Sequence, residues 1–133
     1  MDQQINAVTI AVKDIKLMRK FYHDTLGWAI LAENPSVVML RLNNAVLTLC
    51  TTAIFAEYTG NYPDTESKKG FYLTTNLESP KRVDEYFKKL AAKKVLITKK
   101  PEKVFWGGYS GFFEDIEGNK WEISFNPVPG AKV

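Results

Sequence analysis

The chain is poor in the residue types that most often announce a chemistry. Its 133 residues include one cysteine, Cys50, and one histidine, His23. A single cysteine excludes an internal disulfide, so a reducing cytoplasm is the expected location. No histidine stands beside Cys50 in sequence to activate it, and a lone thiol of this kind reads as a small buried hydrophobe rather than a nucleophile. Long apolar runs are also missing. None approaches the ~20 residues of a membrane helix, and the start, MDQQINAVTIAVKD, lacks the basic and apolar segments of a signal peptide. No membrane association is expected. The net charge is a modest +3. Its lysines are dispersed, with pairs at Lys88/Lys89, Lys93/Lys94 and Lys99/Lys100. The first two pairs fall where a helix should end, and cations there complement the helix dipole. No arginine-rich stripe accompanies them, so nucleic acid is not an expected partner.

What is present fits one soluble globular domain: 45% hydrophobic and 25% charged residues, in a chain long enough for one core but not two ordinary ones. Ile5–Val12 alternates, with Val8, Ile10 and Val12 on one face and Ala7, Thr9 and Ala11 on the other, as in a half-buried strand. Asp14 offers an N-cap. Ile15, Met18, Phe21 or Tyr22, and Leu26 follow at helical spacing, and Gly27 stands at a C-cap position. WAILAE, SVVMLRL and AVLTLCT read as three strands, the last two joined through Asn43-Asn44 as a hairpin with asparagine at positive φ. Residues 59–69, TGNYPDTESKK, read as a linker. The second half repeats the order: GFYLTTNL as a strand, a helix starting at Ser79-Pro80, then VLIT, VFWGGYSGFFE and NKWEISF as strands.

The halves overlay at an offset of 65 residues. Val12 falls on Leu77, Asp14 on Ser79, Phe21-Tyr22 on Tyr86-Phe87 and Ile30-Leu31 on Val95-Leu96. This is a structural duplication of a βαβββ unit. The expected fold is α+β: module one over about 1–58, the linker over about 59–69, module two over about 70–127, and a proline-containing tail at 128–133. Two such modules are expected to pair into one cup-shaped sheet, helices outside, with any ligand in the cup.

At this point the chain resembles a known family. FYHDTLGW after the first strand, the paired βαβββ units and VFWGGYSGFFEDIEGNKWEISFNP near the end resemble the glyoxalase/bleomycin resistance protein/dioxygenase (vicinal oxygen chelate) superfamily. The resemblance covers nearly the whole chain. The family's aromatic, Asp-Pro-Asp-Gly, Trp-Glu ending is here Phe112-Phe113-Glu114-Asp115-Ile116-Glu117-Gly118-Asn119-Lys120-Trp121-Glu122, with Ile116 in place of the proline. The resemblance implies the fold above, and it commonly implies a homodimer. It does not imply one activity, because lyases, dioxygenases, epimerases, thiol transferases and drug-binding proteins share the scaffold.

Metal-dependent members carry four ligands, mostly His and Glu. The matching positions here are Ala7, Thr48, Tyr72 and Glu122. Only Glu122 is a ligating type, and His23 lies on the covering helix. No metal and no other cofactor is therefore expected. Strand alternation turns Thr9, Thr48, Cys50, Tyr72, Thr74, Asn76, Lys120, Glu122 and Ser124 toward the cup. Trp106 and Tyr109, with Tyr58 or Tyr62, are candidate flat walls. The expected ligand-binding set is Thr48, Tyr72, Thr74, Asn76, Trp106, Tyr109 and Glu122. Each also has an ordinary reading: Glu122 as a strand carboxylate paired with a lysine or hydroxyl, Tyr72 and Asn76 as cross-strand hydrogen-bonding residues, Trp106 as a packing residue. The leading functional expectation is a metal-free protein that sequesters a small molecule, like bleomycin resistance proteins. The alternatives are a metal-independent lyase or isomerase with Glu122 as acid or base, and an interaction module with a filled cup.

Overall fold

The computed structural model describes residues 3–64 and 70–128. The last part of the expected linker and residues 129–133 of the tail lie outside them. The chain divides into two compact units, Met1–Ser67 and Lys68–Val133, and each repeats one architecture.

In the first unit, β1 (Ala7–Val12), β2 (Ile30–Asn34), β3 (Val37–Arg41) and β4 (Val46–Thr51) form a four-stranded sheet in the order β1-β4-β3-β2. β1 runs parallel to β4, and the other neighbours are antiparallel. Alternation places Ile10, Val12, Val38, Leu40, Leu47 and Leu49 in the core, each 5% exposed or less. Helix α1 (Ile15–Lys20) packs on β3 and β4. Asp14 caps it by accepting the Leu17 amide at 3.0 Å. The helix then widens into a π-helical turn, Phe21–Thr25, where the Leu26 amide reaches back to the Phe21 carbonyl. That turn buries Phe21 and Tyr22 together.

The second unit has the same topology: β5 (Leu73–Asn76), β6 (Leu96–Lys103), β7 (Tyr109–Glu114) and β8 (Lys120–Phe125), ordered β5-β8-β7-β6. Its helix, α3 (Pro80–Ala92), packs on β6, β7 and β8. Ser79 caps it through the Arg82 amide at 3.2 Å, with Pro80 opening the first turn. Residues related by 65 do the same work in both units. Met18 and Val83 are both fully buried, as are the aromatic pair Tyr22 and Phe87 to within 4%. Gly111 lies under α3: a Cβ there would meet the Phe87 ring at 2.9 Å and the Lys99 carbonyl at 2.8 Å. Glycine lets β6 and the helix close on β7 at that point.

Four details depart from expectation. A second helix, α2 (Thr52–Thr59), fills the stretch between the expected strand AVLTLCT and the expected linker at 59–69, for which no element was expected. Thr51 caps it through the Ile54 amide, and Gly60 ends it at φ 92°. Those two residues were a legible cap pair, but the weakly amphipathic TAIFAEYT between them hid the helix. The β3–β4 hairpin forms, yet neither Asn43 nor Asn44 has positive φ, because the connection spans four residues, 42–45, rather than a two-residue turn. VFWGGYSGFFE is not one strand. β6 runs on to Lys103, and residues 104–108 make the turn into β7, with Gly107 at φ 94°. GFYLTTNL is regular only over Leu73–Asn76. β6 is an edge strand, bulged twice against β7 and carrying Lys99, Lys100, Pro101 and Lys103, which suits an edge that must not pair further.

The helix ends also differ. Gly27, at φ 76°, follows the first, whereas Lys94, at φ 60°, takes the left-handed position after α3. The Val95 amide bonds the Leu90 carbonyl and the Lys94 amide bonds the Ala91 carbonyl, so the helix closes with a Schellman motif without its usual glycine. A left-handed non-glycine residue costs about 1 kcal/mol. Lys94→Gly is therefore expected to raise stability by about 0.5–1 kcal/mol, seen as a higher urea midpoint at unchanged slope. Gly111→Ala is expected to lower stability by about 1–3 kcal/mol through overpacking against Phe87 and β6.

Candidate functional site

Strand β8 is buried on both faces. Trp121 and Ile123, 3% and 2% exposed, face α3, and Trp121 stacks on Phe113 with ring centroids 6.4 Å apart. Glu122 and Ser124 point the other way, at 9% and 1% exposed. The turn before β8 sets this register. Asp115, itself buried, accepts the Glu117 and Asn119 amides through Oδ1, both at 2.9 Å, and the Asn119 side-chain amide through Oδ2 at 2.7 Å. Gly118 supplies the positive φ of 81° that the turn requires. Ile116, where the family motif has proline, is exposed and leaves this network intact.

Pairing then assembles a surface on the face opposite α3. β5 lies parallel to β8 with Thr74 beside Glu122 and Asn76 beside Ser124. The Thr74 hydroxyl donates to Glu122 Oε1 at 2.9 Å. From β7, Phe112 stands opposite Glu122, and the Tyr72 ring meets Phe112 edge-on at 5.1 Å. Ser124 Oγ is buried without a hydrogen-bond partner among the described residues. At the far end of the strand pair, Lys120 bonds Glu114 at 2.7 Å. The surface is thus one carboxylate held by a hydroxyl, next to an aromatic pair, with a spare buried hydroxyl two residues along.

The expected site residues are only partly brought together. Tyr72, Thr74, Asn76 and Glu122 share this face. Phe112 joins them and was not anticipated, although its parity with Glu114 and against Phe113 placed it there. Thr48 belongs to the first unit, where it pairs with Thr9 on β1 and Met39 on β3. It is the first unit's counterpart of Glu122, as Thr9 is of Thr74. Tyr109 corrects the expectation of a wall beside Glu122: it projects from the opposite face, and its hydroxyl donates to Asp84 Oδ1 on α3 at 2.6 Å. That carboxylate pushes the Tyr109 phenol up from its ordinary pKa. Trp106 stands in the β6–β7 turn with its ring over Gly108, 37% exposed. Tyr58 on α2 and Tyr62 beyond it are exposed. Burial pushes the Cys50 thiol up, away from a reactive thiolate. His23 is half-buried on the π turn, and its Nδ1 donates to the Trp28 carbonyl at 2.8 Å, tying the turn to the chain that leaves it.

Comparison with known proteins places this geometry. The sequence profile of the Glyoxalase/Bleomycin resistance protein/Dioxygenase superfamily matches residues 4–123. The chain belongs to this superfamily. The fold is also shared with a glyoxalase-related enzyme from Fulvimarina pelagi, at 26% identity and a TM-score of 0.84, over 95% of this chain and 90% of that one. A glyoxalase/bleomycin resistance protein/dioxygenase from Nocardioides gives 21% identity and 0.83, over 99% and 88%. Lactoylglutathione lyase from Agrobacterium tumefaciens gives 17% identity and 0.75, over 97% and 98%. Among curated proteins, none matches.

The superfamily scaffold raises the question of a metal, and the donor set at the four matching positions can be compared with what an ion requires. Ala7 has no donor atom. Thr48 and Tyr72 offer neutral hydroxyls, and the Tyr72 ring is engaged with Phe112. Glu122 alone is a ligand of ordinary type, and one of its oxygens is taken by Thr74. Among the described residues, no three His, Cys, Asp or Glu side chains come together in a group able to hold an ion. The four positions do not fit a divalent cation, which needs three or more protein ligands in a catalytic site.

The Asp115 network makes a direct prediction. Asp115→Ala leaves two backbone amides and the Asn119 side chain without their acceptor, in a buried turn. It is expected to lower stability by about 2–4 kcal/mol, whereas Ile116→Pro is expected to change it by less than about 1 kcal/mol, both read from urea unfolding.

Proposed function

We propose that this protein is a metal-independent, small-molecule-binding member of its superfamily, of the kind that sequesters a ligand against the face of its second sheet opposite α3. The observation that carries the reading is Glu122. It is a carboxylate oriented by Thr74, flanked by Phe112 and Tyr72, with Ser124 Oγ buried two residues along and without a partner among the described residues, whereas Glu114 farther along this face is paired with Lys120. A ligand with a flat apolar part and a polar group that donates to the carboxylate suits such a surface, because the aromatic edge supplies area and the fixed polar groups supply orientation. The same reading takes Asn76 as a further polar contact, Thr48 as the first unit's contribution, Trp106 as an apolar wall, and the protein as a cytoplasmic homodimer. Among the described residues, no helix is long and apolar enough to cross a membrane.

A second reading is a metal-independent lyase or isomerase with Glu122 as the acid or base. The burial of Glu122 and the 26% identity to a glyoxalase-related enzyme support it. Thr74 would then act as a positioning residue that presents one carboxylate oxygen and leaves the other for proton transfer.

The first test is elemental analysis of protein purified without chelator or added metal, on wild type and Glu122→Ala. The expected result is no stoichiometric metal in either. A stoichiometric metal lost in the variant would overturn the reading. A thermal-shift screen of planar aromatic compounds follows. A ligand at a hundredfold excess over its Kd adds about 2.7 kcal/mol, a shift of several degrees. That shift is expected to vanish in Glu122→Ala and to fall in Phe112→Ala and Trp106→Ala. A hit turned over by wild type but not by Glu122→Gln would select the enzymatic reading.

A further inference from the structure

The helix-covered side of the second unit holds a cleft that Glu122 does not reach. It has a volume of about 350 Å³ and lies between the first turns of α3 and the β6–β7 hairpin, within the size range of small-ligand sites. Its lining combines an apolar floor with two opposite charges. Pro80, Val104 and Phe125 supply the apolar part, and Asp84, Tyr109 and Lys103 the polar part. Asp84 is held in place, because the Tyr109 hydroxyl donates to its Oδ1 at 2.6 Å. A phenol whose proton is spent on a carboxylate presents its oxygen lone pairs to anything else that approaches. Asp84 and Tyr109 are therefore convergent acceptors, suited to an ammonium group. Lys103 is the reverse: a donor on the neighbouring strand wall. Ion pairs within 4.0 Å among the described residues of this unit join Lys81 to Glu85, Lys99 to Glu102 and Lys120 to Glu114, and none joins Asp84 to Lys103. The cleft keeps a negative and a positive group facing one space without closing on each other.

The geometry points to a second ligand site, in this cleft, for a small zwitterion with an apolar side chain, the chemistry of a free hydrophobic amino acid. Its ammonium pairs with Asp84 and Tyr109, its carboxylate with Lys103, and its side chain lies against Phe125, Val104 and Pro80. A singly charged ligand satisfies one wall and leaves the other charge facing an apolar group, so it is discriminated against. The position of Pro80 argues against a simple anion site at the helix start, because proline removes an amide there and Ser79 takes the Arg82 amide. The site does not depend on the Glu122 surface, which lies on the opposite face of the same sheet.

Trp106 stands on the hairpin that forms one wall of the cleft, and comparison with Trp106→Phe separates its fluorescence from that of Trp28 and Trp121. The full chain is titrated with L-phenylalanine, L-leucine and L-tryptophan by calorimetry, and with the first two by fluorescence. Phenethylamine and 3-phenylpropionate serve as singly charged controls. Saturable binding of at least one amino acid is expected, at least tenfold tighter than either control. It is expected to weaken at least tenfold in Asp84→Asn and in Lys103→Met, and to be unchanged in Glu122→Ala. Tyr109→Phe, which keeps the ring and removes only the hydroxyl, is expected to weaken it several-fold with the melting temperature of the wild type retained. No saturable binding of any of the three amino acids, equal binding of a control, or binding that survives both Asp84→Asn and Lys103→Met overturns the assignment. Loss of binding in Glu122→Ala instead would place the amino acid on the Glu122 face and also overturn it.

Discussion

The alternation of side chains along β8 is the constraint on which the second unit depends. A strand flanked by β5 and β7 satisfies its backbone on both edges, so its side chains are free to serve two different environments at a period of two. Trp121 and Ile123 give α3 something to cover, and Glu122 and Ser124 are carried to the other face as a consequence. Burial of the first pair is what holds the second in place. A one-residue slip would put Trp121 where Glu122 stands and set a carboxylate under a helix, at a cost no surface interaction offsets. The Asp115 turn guards against that slip by tying the start of β8 to the end of β7.

The repeated unit shows how one topology supports two unlike surfaces. Equivalent pairings place Thr9 beside Thr48 in the first sheet and Thr74 beside Glu122 in the second. On the next strand Met39 answers Phe112. The core sides are apolar in both units, because both must fill space beneath a helix, but they fill it with different volumes: Leu40 and Leu47 in the first sheet stand where Phe113 and Trp121 stand in the second, and Val38 where Gly111 lies under α3. The opposite faces are under no such requirement. Divergence in polarity has gone into the pairings on those opposite faces and into the β6–β7 hairpin, where β6 has eight residues against five in β2. That longer hairpin carries Trp106 and one wall of the cleft beside α3.

Charge is distributed in keeping with these roles. Ion pairs such as Arg19–Glu33 lie at the surface, where solvent screens them and they add little to stability. The buried polar residues among those described are Ser110, Asp115, Asn119, Glu122 and Ser124. Asp115 and Asn119 satisfy one another, Glu122 has Thr74, and Ser124 Oγ has no partner among the described residues. An unsatisfied buried hydroxyl beside a carboxylate is a local inconsistency in an otherwise satisfied interior.

By itself the sequence determined the duplicated βαβββ order, the caps at Asp14 and Ser79, the core sides of the strands, and the family. All of these rest on short-range patterns: period two, period 3.6, and capping side chains three residues from the amides they accept. It also sorted Tyr72, Thr74, Asn76 and Glu122 onto one face, because parity along a strand survives folding. Only the tertiary structure decided which residues meet across strands. That Thr74 bonds Glu122, 48 residues away, depends on the register of β5 against β8. That Tyr109 turns to Asp84 instead of to Glu122 depends on where the β6–β7 turn ends, which two successive glycines left open in WGGYSG. The α2 helix was hidden for a related reason: its caps were legible, but the residues between them bury no side chain and carry no clear apolar stripe, and its place beside β1 and β4 is set by the fold. Local propensity writes elements and faces into a chain, whereas register, turn position and cross-strand chemistry are settled by long-range packing that no single window of residues contains.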